Sequence, residues 1–214
     1  MGYNKNRFFV GGLFMDITAF YKLSYGLFVL TAKDGEKDNG CITNTVMQIS
    51  QEPLTLAITV NKDNYTNEMI QNTGKFNVSV LSESADFSLF EHFGFASGRD
   101  TDKFASFSDA KRAENGVLYI TKNTNAYFSC KVLQSVDCYT HTVFIAEVTD
   151  AKVLSDENSM TYEYYHKNVK PQPQKTENTA WVCKICGYRY EGEELPADFV
   201  CPWCKHPASD FEKV

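Results

Sequence analysis

The sequence has no apolar run long enough to cross a bilayer. Its longest, around Tyr25 to Leu30, falls far short of the ~20 residues that a spanning helix needs. A helical membrane protein is thereby excluded. Dense clusters of Lys and Arg are missing too. With 21 basic against 27 acidic side chains and a net charge of −6, the chain lacks the concentrated positive charge that a phosphate backbone requires. Nucleic acid is therefore not an expected partner. There is no Gly-x-Gly-x-x-Gly fingerprint, so no dinucleotide is expected on a Rossmann turn. No internal repeat is present. The polar start, Met1 to Arg7, leads into Phe8-Phe9-Val10, which Gly11-Gly12 interrupts before the apolar core of a signal peptide could form. A cytoplasmic protein is expected.

What is present is the composition of a folded globular protein, 43% hydrophobic and 22% charged over 214 residues, enough for one large or two small domains. Cysteine is the anomaly. There are seven, and four of them, Cys183, Cys186, Cys201 and Cys204, form two CxxC pairs near the C-terminus. In a chain expected to stay in a reducing compartment, that arrangement points to metal thiolates more than to disulfides. Cys41, Cys130 and Cys138 read as ordinary strand residues.

Apolar spacing from Ile17 to Tyr25 predicts a helix with Asp16 as its N-cap. Leu27 to Ala32 reads as a strand, Asp34-Gly35 as a turn, and Cys41 to Ser50 as a second strand or loop. Leu54 to Val60 is rich in β-formers. Asn64 to Asn72 reads as a helix closed by Gly74, whose missing Cβ suits a left-handed cap. A strand over Phe76 to Leu81, a short helix over Ser84 to Phe93, and β-rich runs at Val117–Ile120, Tyr127–Val136 and Thr140–Val153 complete the pattern. Without βαβ alternation, these elements predict a mainly β fold, an antiparallel barrel with a few helices. Val169 to Thr179 holds two prolines and no aromatic residue, which predicts an extended linker. The expected division is a domain over 1–165, a linker over 166–179 and a second domain over 180–214.

The 34 residues from Trp181 to Val214 are too few to be stabilised by apolar burial alone, so the second domain needs a staple, and Cys183, Cys186, Cys201 and Cys204 supply it as a tetrahedral thiolate site. Spacing alone leaves zinc and iron level. The surrounding residues, Trp181-Val182-Cys183-Lys184-Ile185-Cys186-Gly187-Tyr188-Arg189-Tyr190 and Phe199-Val200-Cys201-Pro202-Trp203-Cys204 with Phe211, resemble a rubredoxin, with a spacer closer to the short domain that ends rubrerythrins. That resemblance implies one iron and one-electron transfer. Lys205 stands where free-standing rubredoxins usually have Gly. A structural zinc ribbon is the alternative.

In the larger domain, Asn39 to Ser50 gathers hydroxyl and amide side chains without matching cations, a composition that could hold a flavin's polar edge but on its own favours a solvated strand-turn. The succession GCITNTVMQIS (40–50), NKDNYT (61–66), GKFNVSVLSE (74–83), DKF (102–104) and THTVFIAEV (140–148) resembles the split-barrel, FMN-binding flavin reductases from about Asp16 to Val153. The resemblance implies a split β-barrel that usually dimerises. It implies FMN contacts from Thr43, Asn44 and Thr45, and a phosphate-side turn at Asn61, Lys62, Tyr65 and Thr66. It further implies a ring-side strand at Phe76, Asn77 and Val78, and backbone contacts from Thr31 and Ala32. His141 stands where the reductases often have a His near the nicotinamide. The Gly and Asp that usually precede that His are absent here, and a strand histidine bonded to a carbonyl is the plain alternative. The order of domains resembles the high-molecular-weight rubredoxins. This implies a relay from NADH or NADPH through FMN and an iron held by the four cysteines to an acceptor such as a flavodiiron NO/O2 reductase. A reductase that releases free flavin, or an FMN-binding protein with a zinc ribbon, would use the same parts.

Overall fold

In the computed structural model, the described residues are 7–10, 13–171, 180–185, 187–202 and 206–214. Strands β1 (Arg7–Val10) and β2 (Leu13–Asp16) form a hairpin that leads into a 3₁₀ turn, Ile17–Lys22. The helix predicted here is thus only this turn, and Asp16, its expected N-cap, is the last residue of β2. The reason is burial: Phe20 is 66% and Leu23 52% exposed, so no apolar face holds a longer helix.

The main body is one antiparallel sheet of β3 (Phe28–Asp34), β4 (Lys37–Thr43), β5 (Val46–Gln51), β6 (Leu54–Asn61), β7 (Lys75–Leu81), β10 (Thr124–Cys138) and β11 (His141–Val153). Between them come α1 (Tyr65–Thr73), α2 (Phe87–Gly94) and the short pair β8 (Ala110–Arg112) and β9 (Leu118–Ile120). The strand order is β4-β3-β7-β10-β11-β6-β5, so the consecutive strands β4 and β5 lie at opposite edges. The sheet curls round a core containing Leu30, Ile58, Phe76, Val78 and Phe144, and α1 plugs it with Met69 and Ile70. This is a barrel split between β4 and β5. The single strand-or-loop expected over Cys41 to Ser50 is really two strands, broken at Asn44-Thr45.

Helix α1 forms where its caps demand. Asn64 accepts the amide of Thr66 with its side chain, and Gly74 closes the helix at φ 66°, its N–H donating to Ile70. Gly74→Ala would force a side chain into the left-handed region; we expect a loss of ~1 kcal/mol in the urea unfolding free energy, with the fold retained by circular dichroism. An unchanged midpoint would show that the cap carries no stability.

A second core lies on the outer face of the same sheet, where Leu27, Val29, Leu81, Phe90, Phe93, Ile120, Met160 and Tyr165 pack together. Strands β3 and β7 are therefore covered on both faces. The chain ends this domain in α3 (Tyr162–Tyr164) and a π turn, Tyr165–Val169. Residues 166–169, expected in the linker, are thus helical. Lys170 and Pro171 follow them, and the remainder of the expected linker, 172–179, lies outside the described residues.

The remaining sheet is small: β12 (Ala180–Cys183) pairs with β13 (Arg189–Glu191) on one side and β14 (Phe211–Lys213) on the other. Its core is aromatic, with Phe199 4.8 Å from Tyr190 and 5.3 Å from Phe211, centroid to centroid. No helix among the described residues is long and apolar enough to cross a membrane.

Candidate functional site

The break between β4 and β5 builds a polar rim at one end of the barrel. Thr43 and Thr45 both donate to the carbonyl of Thr59 on β6, at 3.5 and 3.4 Å, and the Thr45 hydroxyl also reaches Asn44 Oδ1 at 3.2 Å. All three side chains are half-buried. Two residues after Thr59, Asn61 accepts the amide of Asp63 and stands opposite His141 in the β6–β11 register. His141 is half-buried, with Nδ1 2.8 Å from the Thr140 hydroxyl. Lys62 is paired with Asp137 at 2.5 Å, and this pairing, with the Tyr139 amide, holds the Asp137 carboxyl below the usual carboxylate range.

The start of α1 continues this rim. Thr66 is buried and accepts from Asn39 Nδ2 at 3.0 Å, while Asn39 Oδ1, also buried, has no hydrogen-bond partner. A Cβ at Gly98 would collide with Asn39, so glycine is required there. Lys37 and Arg99 flank the Tyr65 ring, each 4.9 Å from its centroid. Two cations, one of them (Arg99) also paired with Glu68 at 2.8 Å, and a helix N-terminus thus gather beside the predicted phosphate-side turn. This donor set fits a flavin that carries a phosphate, and the uncharged rim of Thr43, Asn44 and Thr45 fits its polar ring edge. Lys37 and Arg99 do not stand out in the sequence, whereas Asn39 opens the amide- and hydroxyl-rich stretch. The lysine and arginine positions are scattered single charges, and only the fold collects them.

Lys103 belongs to the DKF motif, but its burial is not legible in the sequence. It is 3% exposed, and its ammonium donates to the carbonyls of Gly40 and Phe93 at 2.9 and 2.8 Å, tying β4 to the end of α2. Burial pushes its pKa down. Beside it, burial pushes the Cys41 thiol up, against weaker opposing contributions from Thr66 and Lys103. Burial likewise pushes Cys130 up to about 12, so neither thiol is a nucleophile at neutral pH.

Five predicted contacts are not at the rim. Phe76, Val78 and Ala32 lie inside the barrel core, each at most 1% exposed. Thr31 and Asn77 face outward under β9: Thr31 donates to the carbonyl of Leu118, and Asn77 donates to Val117 at 2.9 Å while accepting from Asn115 at 2.7 Å. The side chains of these five residues shape the sheet behind the rim, which leaves the backbone contacts expected of Thr31 and Ala32 untouched. His92 and His166 are packing residues. His92 stacks on Phe107 with Nε2 2.6 Å from the Lys103 carbonyl, and His166 meets Tyr162 edge-on.

In the small domain, Cys183 and Cys201 are 1% and 0% exposed and share one core with Phe211. Each opens a loop of the same form: Cys183 N–H donates to Tyr188 and Cys201 N–H to His206, both at 2.8 Å and both five residues ahead. The first loop turns at Gly187, φ 83°. Cys186, Trp203, Cys204 and Lys205 lie outside the described residues, and none of the five described cysteines is in a disulfide. Two buried thiols on matching knuckles, each the first of a CxxC pair, fit a tetrathiolate metal.

A half-open barrel with a polar rim, carrying a cysteine-knuckle domain behind it, is the form of a flavin reductase joined to a one-metal electron carrier. The chain belongs to the flavin reductase like domain family, whose model matches residues 20–172, and its end matches the rubrerythrin, rubredoxin-like domain over residues 181–212. Along its length it is similar to the high molecular weight rubredoxin of Moorella thermoacetica, 38% identical over 94% of this chain and 100% of that protein. The NAD(P)H ferric-chelate reductase of Archaeoglobus fulgidus is 36% identical over 76% of this chain and 95% of its own length. Among solved structures, the NADH:FAD oxidoreductase SgcE6 of Streptomyces globisporus, in complex with NAD and FAD fragments, superposes with a TM-score of 0.59 at 24% identity, covering 67% of this chain and 83% of that one. The two domains together imply flavin and iron and make the chain an electron-transfer oxidoreductase.

Proposed function

We propose that this enzyme takes electrons from NADH or NADPH onto FMN held at the barrel rim, passes them to an iron bound by Cys183, Cys186, Cys201 and Cys204, and delivers them to an acceptor protein, a flavodiiron NO/O2 reductase. The observation that carries this reading is that one chain combines a rim suited to a phosphate-bearing flavin with paired knuckles suited to a single metal. A bound flavin supplies the exchange between a hydride's electron pair and single electrons, and a tetrathiolate iron supplies one-electron storage without a change of ligands.

In this reading Thr43, Asn44 and Thr45 orient the ring edge, and Tyr65, Thr66, Lys37 and Arg99 hold the phosphate. His141 stands at the mouth and orients the nicotinamide. No Rossmann turn is needed, because the nucleotide binds only during transfer. The division into 1–165, 166–179 and 180–214 serves the relay, with the metal domain as the carrier. Exposed Met47, Ile49 and Leu54 on β5 and β6, with Leu133 and Val136 on β10, support a homodimer. The paired thiols of the knuckles, which bind a metal only while reduced, support a cytoplasmic setting.

Adding NADH or NADPH anaerobically to the as-isolated protein is expected to bleach both the flavin and the iron–thiolate absorption. His141→Ala should slow flavin bleaching ~10-fold or more, the range over which a positioning contact acts. Bleaching of the flavin with the iron band left untouched would sink the relay, and an unchanged rate in the variant would remove His141 from it.

A further inference from the structure

The place where the two domains meet carries a contact that the relay does not by itself require. Lys170 follows the π turn, anchored there by its own N–H, which donates to the Tyr165 carbonyl at 2.8 Å. Its side chain leaves the barrel domain. The ammonium donates to the carbonyl oxygens of Lys184 at 2.9 Å and Ile185 at 2.5 Å, the two residues between Cys183 and Cys186. Gly187, which turns this loop, lies against the same arm: a Cβ built there would stand 3.8 Å from Lys170 Cε and 3.7 Å from the Pro171 carbonyl. A second contact runs parallel. Phe95, at the end of α2, packs on the core of Cys183, Cys201 and Phe211. Its neighbour Gly94 faces Ile42, with a built Cβ 3.5 Å from that side chain, and Ile42 is next in sequence to Thr43 at the rim. The metal domain therefore sits on its own chain's barrel domain, on the side reached from the rim through α2.

We propose that Lys170 is a positioning residue for the metal centre: it clamps the first cysteine knuckle to the barrel domain and raises the reduction potential of the iron. The inference rests on the iron reading given above. Its physics is simple. A ferric ion with four thiolates carries one net negative charge and a ferrous one carries two, so a fixed cation beside the knuckle favours the reduced form. Reduction adds one electron and breaks no bond. The clamp also orients the loop. Because a trans peptide sets its N–H opposite its C=O, a Lys184 carbonyl held toward Lys170 turns the Ile185 N–H away from it. An ammonium donating to two carbonyls of one tight loop is a stronger restraint than a surface ion pair, since neither acceptor has side-chain freedom to lose.

The experiment uses the full chain with its flavin and iron. Lys170→Met keeps the length of the arm and removes the charge, Lys170→Gln keeps a donor without charge, and Lys170→Arg keeps the charge. Spectroelectrochemical titration of the iron band should show the one-electron equilibrium displaced about tenfold toward the oxidised form in Lys170→Met and Lys170→Gln, ~59 mV. Lys170→Arg should stay within about twofold of the parent. Amide exchange at Ile185 and Gly187 should quicken in Lys170→Met. Parent-like potentials in both neutral variants overturn the electrostatic role, and parent-like exchange overturns the clamp. In protein loaded with zinc the exchange measurement still reads the clamp, so a failure of the iron reading is told apart from a failure of the Lys170 assignment. A Lys170→Met protein that does not fold leaves Lys170→Gln, whose donor can keep one carbonyl bond, to decide the potential.

Discussion

Cys201→Ser is expected to remove the metal and unfold the small domain while leaving flavin reduction by NADH within about twofold of the parent, because the two functions sit in separate cores. Cys201 is fully buried, and among the described residues its core holds Cys183, Phe211 and a partly buried ring of aromatics with Ile185 and Leu195. So small a cluster cannot offset the ordering entropy of some thirty residues, at ~1–2 kcal/mol each for the backbone. A structural metal supplies the difference, ~10–16 kcal/mol in small zinc domains. A serine hydroxyl does not replace a thiolate ligand at neutral pH. Metal content per chain, the iron–thiolate band and the near-ultraviolet circular dichroism of the aromatic cluster should fall together. Retention of one iron per chain would refute the ligand assignment, and an equal loss of flavin reduction would refute the independence of the sites.

The second large effect concerns Phe76, which the family resemblance assigns to the flavin and the structure puts in the barrel core. Phe76 is 0% exposed and packs with Leu30, Val78, Ile58 and Phe144. Phe76→Ala should cost ~3–5 kcal/mol, the range for large-to-small changes in a tight core. The flavin-free protein should show that loss in full, as a drop of several degrees in Tm and a lower urea midpoint at constant slope. If Phe76 acted through the flavin, the flavin-free protein would unfold as the parent does and only FMN affinity would fall.

These two residues mark what can and cannot be read in advance. The knuckles are legible because their chemistry is local: a CxxC pair brings two sulfurs together whatever the rest of the chain does. Helix α1 is legible for the same reason, since Asn64 and Gly74 act within one turn of their own positions. The directions of the Thr31, Ala32, Phe76, Asn77 and Val78 side chains are not legible, because β3 and β7 are buried on both faces. Such strands carry no alternation of polar and apolar residues to say which side chain points where. Asn77 in particular is polar, yet its side chain is taken up by the carbonyls of Val117 and Leu118 and the side-chain amide of Asn115. The buried Lys103 inverts the usual expectation for a lysine. Its carbonyl partners at Gly40 and Phe93 lie 63 and 10 residues away, a coincidence that only the folded chain creates. The expected helix from Ile17 fails because periodicity holds a helix only when something covers its apolar face.

Strands β4 and β5 are successive in the chain yet occupy opposite edges of the sheet, with Asn44 and Thr45 between them. A closed barrel would have to break ladder hydrogen bonds to admit a planar ring as wide as an isoalloxazine. This one has a gap already, and its threonines line it. In the proposed reading, loading and unloading of the flavin leaves every strand pair of the sheet intact, so its exchange is governed by the rim's own contacts and not by the stability of the fold.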